Sequence, residues 1–475
     1  MSRLLMISVN DRGNLGARQL VAEAKLAGHE ACLLNWGEYR HATYEFSEEH
    51  DSPHWHDSLD RYEELLTELR PDVVGISYRS SMFVPANVLG GLAMTAAPKA
   101  RIIAGGIGAT SDPKGALRWA DAVCVGEGDQ AVAGILAAPR LRRRYEGALT
   151  RDLDILPFPD YDPDTTWSIV EGRVIHPDGR LDNDIGAYPL LTSRGCPRAC
   201  SYCHNSTIHA LYKGQPYCRQ RGVDHVMSEI RWARQRWPLK MLSIYDDLFT
   251  ANAEWVLEFC GRLRTAWHCE GAIGDIGRPP RFWCMAHPSY IRRDVIAALV
   301  GAGMEEICLG VQSGSQRILD LYRRGTTPED ILRAAGILAE FPSLAVKVDI
   351  ITANPLETPA DVRATMDLVQ RMPRNPRWKH GLSRLQVFPG SGLAVDHGLT
   401  QADCDALHTD RQEFADGLFR GAFQPRWYGW DLCAALDRYD AFCRFRASRD
   451  WPADKGQLSD EHWMPLTRWL DEGMP

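Results

Sequence analysis

The feature that most constrains the fold is an alternation, met twice along the chain, of short apolar runs with helix-like stretches. In residues 1 to 150 the apolar runs are Leu4–Val9, Ala31–Trp36, Val73–Tyr78, Arg101–Gly106 and Ala122–Gly126. Helical patterns fill the gaps near 16–27, 58–69, 85–97, 112–119 and 128–138. Runs this apolar suit strands buried on both faces, and strands separated by helices give a parallel, doubly wound α/β sheet. The alternation resumes after a Pro- and Asp-rich stretch, Leu156 to Asp164. Strands are expected at 189–193, 241–246, 282–286, 306–311, 345–351 and 383–388, with amphipathic helices such as Asp224–Arg236 and Pro359–Arg371 between them. Six such units with right-handed crossovers predict an open, partial (β/α)6 barrel. The expected layout is an α/β domain over 1–150, a linker over 151–184, the barrel over 185–398 and a helical region over 399–475. That last region carries Trp427, Trp430, Trp451, Trp463 and Trp469, at spacings that suit ordinary packing or a cap over a cavity.

Bulk properties narrow the function. A chain of 475 residues, 45% hydrophobic and 24% charged, has ample core for two or three domains. Its net charge of −8 argues against gripping nucleic acid through phosphates. The one dense basic stretch, Arg140 and Arg142 to Arg144, reads as a solvated face. No apolar run reaches the ~18 residues of a membrane span, so neither nucleic acid nor membrane is an expected partner. Of 13 cysteines, ten are irregularly spaced, as small core residues of an intracellular protein would be, and the cytoplasm is the expected compartment.

The other three stand together as Cys196-Pro197-Arg198-Ala199-Cys200-Ser201-Tyr202-Cys203. Three thiolates on one loop can hold three irons of a cubic cluster and leave the fourth iron open for chemistry. A zinc knuckle completed by His204 is the competing reading, but no second ligand pair follows at zinc-site spacing. With Tyr202 before the last cysteine, the run resembles the signature of the radical S-adenosylmethionine (SAM) superfamily. That resemblance implies a 4Fe–4S cluster on Cys196, Cys200 and Cys203, with SAM on the open iron. Later segments resemble the family in order, and each implies a SAM contact. Asp246, in Tyr245-Asp246-Asp247-Leu248-Phe249, would face the SAM amino group. Gln312 and Ser313, in Gly310-Val311-Gln312-Ser313-Gly314-Ser315, would reach the ribose or carboxylate. Arg323, with Arg324 beside it, would meet the carboxylate, and Asn354 lies in the segment that backs the adenine. Pro389-Gly390-Ser391 resembles the turn closing the last strand. No catalytic acid or base is assigned; Tyr212, Tyr217, His287 and Gln386 are polar residues near expected strand ends or the cysteine loop.

In the first domain glycines gather at the carboxyl ends of the expected strands: Gly13 and Gly16, Gly105, Gly106 and Gly108, then Gly126 and Gly128. Ligands of doubly wound sheets sit there, and glycine lets the backbone approach them closely. The G-x-G-x-x-G fingerprint is absent after the first strand, which tells against a dinucleotide. Taken in order and followed by the cysteine loop, these segments resemble the Rossmann-like cobalamin-binding domains that precede radical SAM barrels. The resemblance implies cobalamin contacts from Asp11, Gly13, Gly16, Tyr78, Arg79, Ser80, Gly105, Gly106, Gly126, Glu127 and Gly128. One departure stands out. Where related domains carry D-x-H-x-x-G, with histidine on the cobalt, this chain reads Asp11-Arg12-Gly13-Asn14-Leu15-Gly16. Cobalamin is then expected without a histidine ligand. The polar loop with His50, His54, His56, Asp51 and Asp57 reads as exposed histidines rather than a metal site.

The resemblance covers residues 1 to about 395. It implies a cobalamin-dependent radical SAM C-methyltransferase, moving a methyl group from SAM through methylcobalamin to an unactivated carbon of a small-molecule substrate. An electron donor such as flavodoxin or ferredoxin is its expected partner. Two alternatives share the architecture: a cyclase or ring-rearranging enzyme without methyl transfer, and a radical SAM enzyme whose first domain has lost its ligand. An iron–sulfur electron carrier fits less well, since only three cysteines cluster.

Overall fold

The computed structural model describes residues 1–9, 15–37, 54–175, 187–269, 280–352, 354 and 356–398. Asp11, Gly13, His50, Asp51, part of the expected linker, and the region 399–475 with its five tryptophans lie outside the described residues. The first sheet has eight strands: β1 (Arg3–Val9), β2 (Glu30–Trp36), β3 (Val73–Ser77), β4 (Arg101–Gly105), β5 (Ala122–Gly126), β6 (Arg144–Gly147), β7 (Thr166–Val170) and β8 (Arg173–Ile175). Their order is β6-β5-β4-β3-β1-β2-β7-β8, parallel throughout except for the β7–β8 pair. The central 2-1-3-4-5 order is that of a doubly wound domain, with its switch point between β1 and β3. Both faces are covered. Leu5, Ile7, Val74, Ile76 and Val123 enter one core cluster, and Leu4, Met6, Leu33, Val73 and Ala122 enter another, which is why the strands read as continuous apolar runs.

The stretch 151–184, expected as a linker, instead supplies β7 and β8 to this sheet. Polar Asp162 and Thr165 fasten it in place: Lys25 Nζ, on the helix Leu15–Leu26, donates to Asp160 at 2.8 Å, Asp162 at 3.1 Å and Thr165 at 2.7 Å. Tyr161 from the same stretch packs with Tyr188 and Trp237 in the second core, so these residues bridge the two halves of the molecule.

The second sheet comprises β9 (Ala187–Leu190), β12 (Met241–Ile244), β13 (Arg281–Ala286), β14 (Met304–Gln312), β15 (Ala345–Thr352) and β16 (Trp378–Arg384), paired in chain order and all parallel. A short hairpin, β10 (Ser193–Arg194) with β11 (Arg219–Gln220), stands apart from it. Ile307, Leu309, Val311, Val346, Val348 and Ile350 face the surrounding helices in one core. The residues between them, among them Glu306, Cys308, Gln312 and Asp349, are only half-buried and line the barrel interior. The last strand begins and ends earlier than the expected 383–388. Leu385 and Val387 are buried, but they join a separate cluster with Tyr322 and Leu393 above the sheet, with Tyr202 packed against it. Apolar packing there was indistinguishable from a strand by periodicity alone.

Candidate active site at the facing sheet ends

The cysteine loop leaves β10 at Gly195, whose φ is +90° and whose Cβ, if present, would lie 2.6 Å from the Tyr217 carbonyl oxygen. The loop then runs through the three cysteines to the helix His204–Leu211, with Cys203 at its N-cap. Ser201 ties the loop to the turn after the helix Gln316–Leu321: its N–H donates to the Tyr322 carbonyl at 2.9 Å and its hydroxyl to Leu321 at 2.7 Å. Each thiol has an N–H donor. The Arg198 amide reaches Cys196 Sγ at 3.4 Å, Arg324 Nη1 reaches Cys200 Sγ at 3.5 Å, and Asn205 Nδ2 reaches Cys203 Sγ at 3.7 Å. Burial pushes the Cys196 thiol up to about 12 and Cys203 up to about 11, with the Asp247 carboxylate adding to both. His209 Nε2 lies 2.7 Å from the Cys196 carbonyl oxygen, and His204 stacks on Phe388 at 4.4 Å.

Several polar residues expected to touch SAM have other duties. Asp246 is fully buried and accepts from Thr192 N at 2.7 Å, Thr192 Oγ1 at 2.5 Å and Ser193 Oγ at 2.5 Å. It fastens the turn before the cysteine loop, and burial still raises its carboxyl to about 6. Its neighbour Asp247 is the exposed one; it bonds Asn205 and acts electrostatically on Cys196, Cys203 and Tyr217. Arg323, at φ +51°, pairs with Asp396 away from the cysteines. Arg324 is the inward guanidinium: it is buried, donates to Tyr202 OH at 3.1 Å and to the Gly310 carbonyl, and its Nε has no partner among the described residues. Ser313 is buried against Thr365 and Ser315, and Asn354 donates to Tyr322 OH at 2.9 Å. Both brace the wall rather than face the opening. Gln312 does face inward, at φ +70° beside a register shift between β14 and β15, where a bulge re-aims a side chain. Tyr202 packs edge-on to Tyr322 at 4.9 Å. Tyr212 and Tyr217 flank the loop, and His287 is buried with its Nδ1 accepting from Ser289 N.

At the first sheet's carboxyl ends, Gly105 has open space where a side chain would stand. Gly106, at φ +82°, has no room for a side chain, whose Cβ would meet the Tyr78 carbonyl oxygen at 2.8 Å, and Gly16 is exposed on the first helix. The Tyr78 ring is buried against Trp119, Phe83 and Gly108, so its side chain belongs to the core rather than to a ligand. Arg79 and Ser80 open the short helical turn after β3. Gly128 packs on Leu20. Gly126 and Glu127 are committed elsewhere. Gly126, at φ +88°, leaves room for the Tyr212 hydroxyl, and Glu127 pairs with Arg219 and Arg194 of the cysteine hairpin. No sequence signal marks those two arginines, because each lies in a two-residue strand that periodicity cannot register. His54 pairs with Asp57 at 3.8 Å, and no group of three His, Cys, Asp or Glu side chains among the described residues converges on a single metal ion.

Family models match here in the same order: the B12 binding domain over residues 9–136 and the radical SAM superfamily over residues 190–369. The chain joins a B12 binding domain to a radical SAM domain, the pairing of the cobalamin-dependent radical SAM branch. It is 24% identical over 329 residues to an uncharacterized methyltransferase of Pyrococcus horikoshii, covering 65% of this chain and 66% of that one. It is 25% identical over 336 residues to the anaerobic magnesium-protoporphyrin IX monomethyl ester cyclase of Cereibacter sphaeroides, covering 63% of this chain but half of the cyclase. The fold is similar to the radical SAM methyltransferase TsrM of Kitasatospora setae, solved with tryptophan and a SAM analogue (TM-score 0.60, 17% identity, 83% of this chain and 76% of that chain). It is also similar to the cobalamin-dependent radical SAM enzyme OxsB (TM-score 0.60, 12% identity, 99% and 80%).

The cofactors of this radical SAM branch are a 4Fe–4S cluster, SAM and cobalamin, and the residues present fit them. A cubic cluster offers a separate iron to each thiolate, so its three ligands need not converge on one point. The N–H donors at Cys196, Cys200 and Cys203 suit thiolates, and Arg324 retains an unused N–H beside them. In the first domain the buried hydroxyls of Ser80 and Ser111 have no partner among the described residues, and Gly105 has open space where a side chain would stand. Those are unclaimed polar groups on a bare backbone, as a bulky polar ligand requires. Among the described residues, no helix is long and apolar enough to cross a membrane.

Proposed function

We propose that this enzyme transfers a methyl group from SAM to an unactivated carbon of a small-molecule substrate. The observation that carries the reading is that the carboxyl ends of both sheets abut. The Gly390 turn after β16 packs on the Ser111 carbonyl after β4, and Tyr212 behind the cysteine loop bonds Gly147 at the end of β6. Two cofactors held at those ends would face one common site. When bound, the cluster supplies the electron that cleaves SAM, and cobalamin supplies a carrier for the methyl group. The chain's own residues do the rest. Arg324 presents a buried cation and a free N–H for an anionic group such as the SAM carboxylate. Tyr202, Tyr322 and the His204–Phe388 stack close the back of the site against water. Gln312 and Asp247 offer polar groups toward the opening. The Gly13 position, where related domains carry histidine, leaves the chain without that ligand for cobalt.

A flavodoxin- or ferredoxin-type electron donor and a cytoplasmic setting complete the proposal. Likeness to a cyclase favours a second reading, ring closure without methyl transfer. Anaerobic protein reconstituted with iron, sulfide and hydroxocobalamin should retain about one cobalamin per chain. With SAM deuterated in its methyl group, the product should carry the label. A product that lacks the label and has lost hydrogen would establish cyclisation instead. A cluster-loaded protein that retains no cobalamin would remove the methylation reading first.

A further inference from the structure

The hairpin that carries the cysteine loop is very short. Its two strands hold two residues each, and Arg194 lies directly opposite Arg219. An isolated two-stranded pair is marginal in water, and like charges directly opposite each other destabilise it further. The first domain supplies what the hairpin lacks. Asp129 takes a two-pronged contact from Arg194, at 2.6 Å from Nη1 and 3.0 Å from Nη2. Glu127 takes another from Arg219, at 2.9 Å from Nη1 with Nη2 on its other oxygen, and stands 3.5 Å from Arg194. Arg219 also donates to the Thr150 carbonyl at 2.7 Å, and Thr150 N donates back to Glu127 at 3.2 Å. The Asp129 and Arg219 side chains are each 5% exposed. Two cations and two carboxylates, one of each buried and the others largely so, thus neutralise one another across the domain boundary. A tyrosine completes the joint: Glu127 N donates to Tyr212 OH at 2.8 Å, and that hydroxyl donates to the Gly147 carbonyl at 2.7 Å.

We infer that Glu127 and Asp129, with Arg194 and Arg219, are positioning residues that fix the cysteine loop relative to the cobalamin pocket. The inference rests on the reading above that both cofactors face one common site. It replaces the expectation that Glu127 touches cobalamin, since both of its carboxylate oxygens are occupied by the arginines and Thr150. The geometry of Arg219 matters more than its charge, because lysine cannot make two parallel bonds.

The test uses Glu127→Gln and Arg219→Lys in the reconstituted holoenzyme, with Tyr212→Phe as a milder variant should either fail to fold. Iron, sulfide and cobalamin per chain should match the wild type. The distance distribution between cob(II)alamin and the reduced cluster, measured by pulsed dipolar EPR, should broaden. Hydrogen exchange at the Glu127 and Thr150 amides and through the hairpin should rise together by about tenfold or more, as loss of a charge-assisted hydrogen bond predicts. Loss of cobalamin with unchanged hairpin exchange would make Glu127 a cofactor contact and overturn the inference. So would an unchanged distance distribution with unchanged exchange. If the wild type itself binds no cobalamin, the functional reading fails separately, and exchange in the cluster-loaded protein decides the positioning role.

Discussion

A buried guanidinium beside a cysteine proposed as a cluster ligand alters what that sulfur can do. Arg324 places a positive charge and an N–H at Cys200 Sγ, and hydrogen bonds to cluster sulfurs help to set reduction potentials. Arg324→Gln should therefore lower the potential of the reconstituted cluster, measured by EPR-monitored redox titration. Cys196→Ala, Cys200→Ala or Cys203→Ala should each abolish SAM cleavage, and normal 5′-deoxyadenosine output from all three would refute the cluster assignment. Asp246 is a structural hub. Asp246→Asn replaces one of the two acceptor oxygens, which between them serve Thr192 N and the Thr192 and Ser193 hydroxyls, with an N–H donor and should cost about 1–3 kcal/mol in urea unfolding. His287 gives a pH signature. Burial first, then Arg324 and Arg198, hold it neutral down to about 3, against an ordinary value of 6.5. Between those values the unfolded chain binds a proton that the folded chain refuses. Its contribution is therefore complete above about 6.5 and is lost as pH falls toward 3. His287→Asn, which keeps an acceptor for Ser289 N, should flatten the acid limb of stability against pH.

At the level of elements, two barrel helices begin with reciprocal caps, Thr327 with Asp330 and Thr358 with Asp361. Thr358→Ala should cost about 1 kcal/mol, read as a lowered midpoint in thermal or urea unfolding. Such helices, and the strands between them, were legible because burial writes itself into periodicity: apolar on both faces in the first sheet, amphipathic around the barrel. The site was legible as segments but not as side-chain directions. Asp246 and Asp247, or Arg323 and Arg324, are adjacent in a turn, and no repeat tells which of two neighbours points inward. At Arg323 a left-handed backbone swings that side chain out to Asp396 and leaves Arg324 within. The β10–β11 hairpin was invisible for a related reason: its stabilising partners lie in another domain, not in its own sequence.

Across the whole molecule, the two halves are joined by charge as well as by the packing of Tyr161. The partners in that joint are far apart along the chain, Glu127 and Arg219 being 92 positions apart. At translation rates of about 5–20 residues per second, the acidic pair waits roughly 5 to 20 seconds on the ribosome for its arginines. During that interval the two carboxylates that follow β5 lack the arginines that pair with them in the folded protein. The cysteine hairpin arrives last and seals that side. Synthesis thus imposes a sequence on maturation: the first sheet's end stands uncovered first, and the cysteine hairpin takes its place against it only once the chain has grown past residue 220.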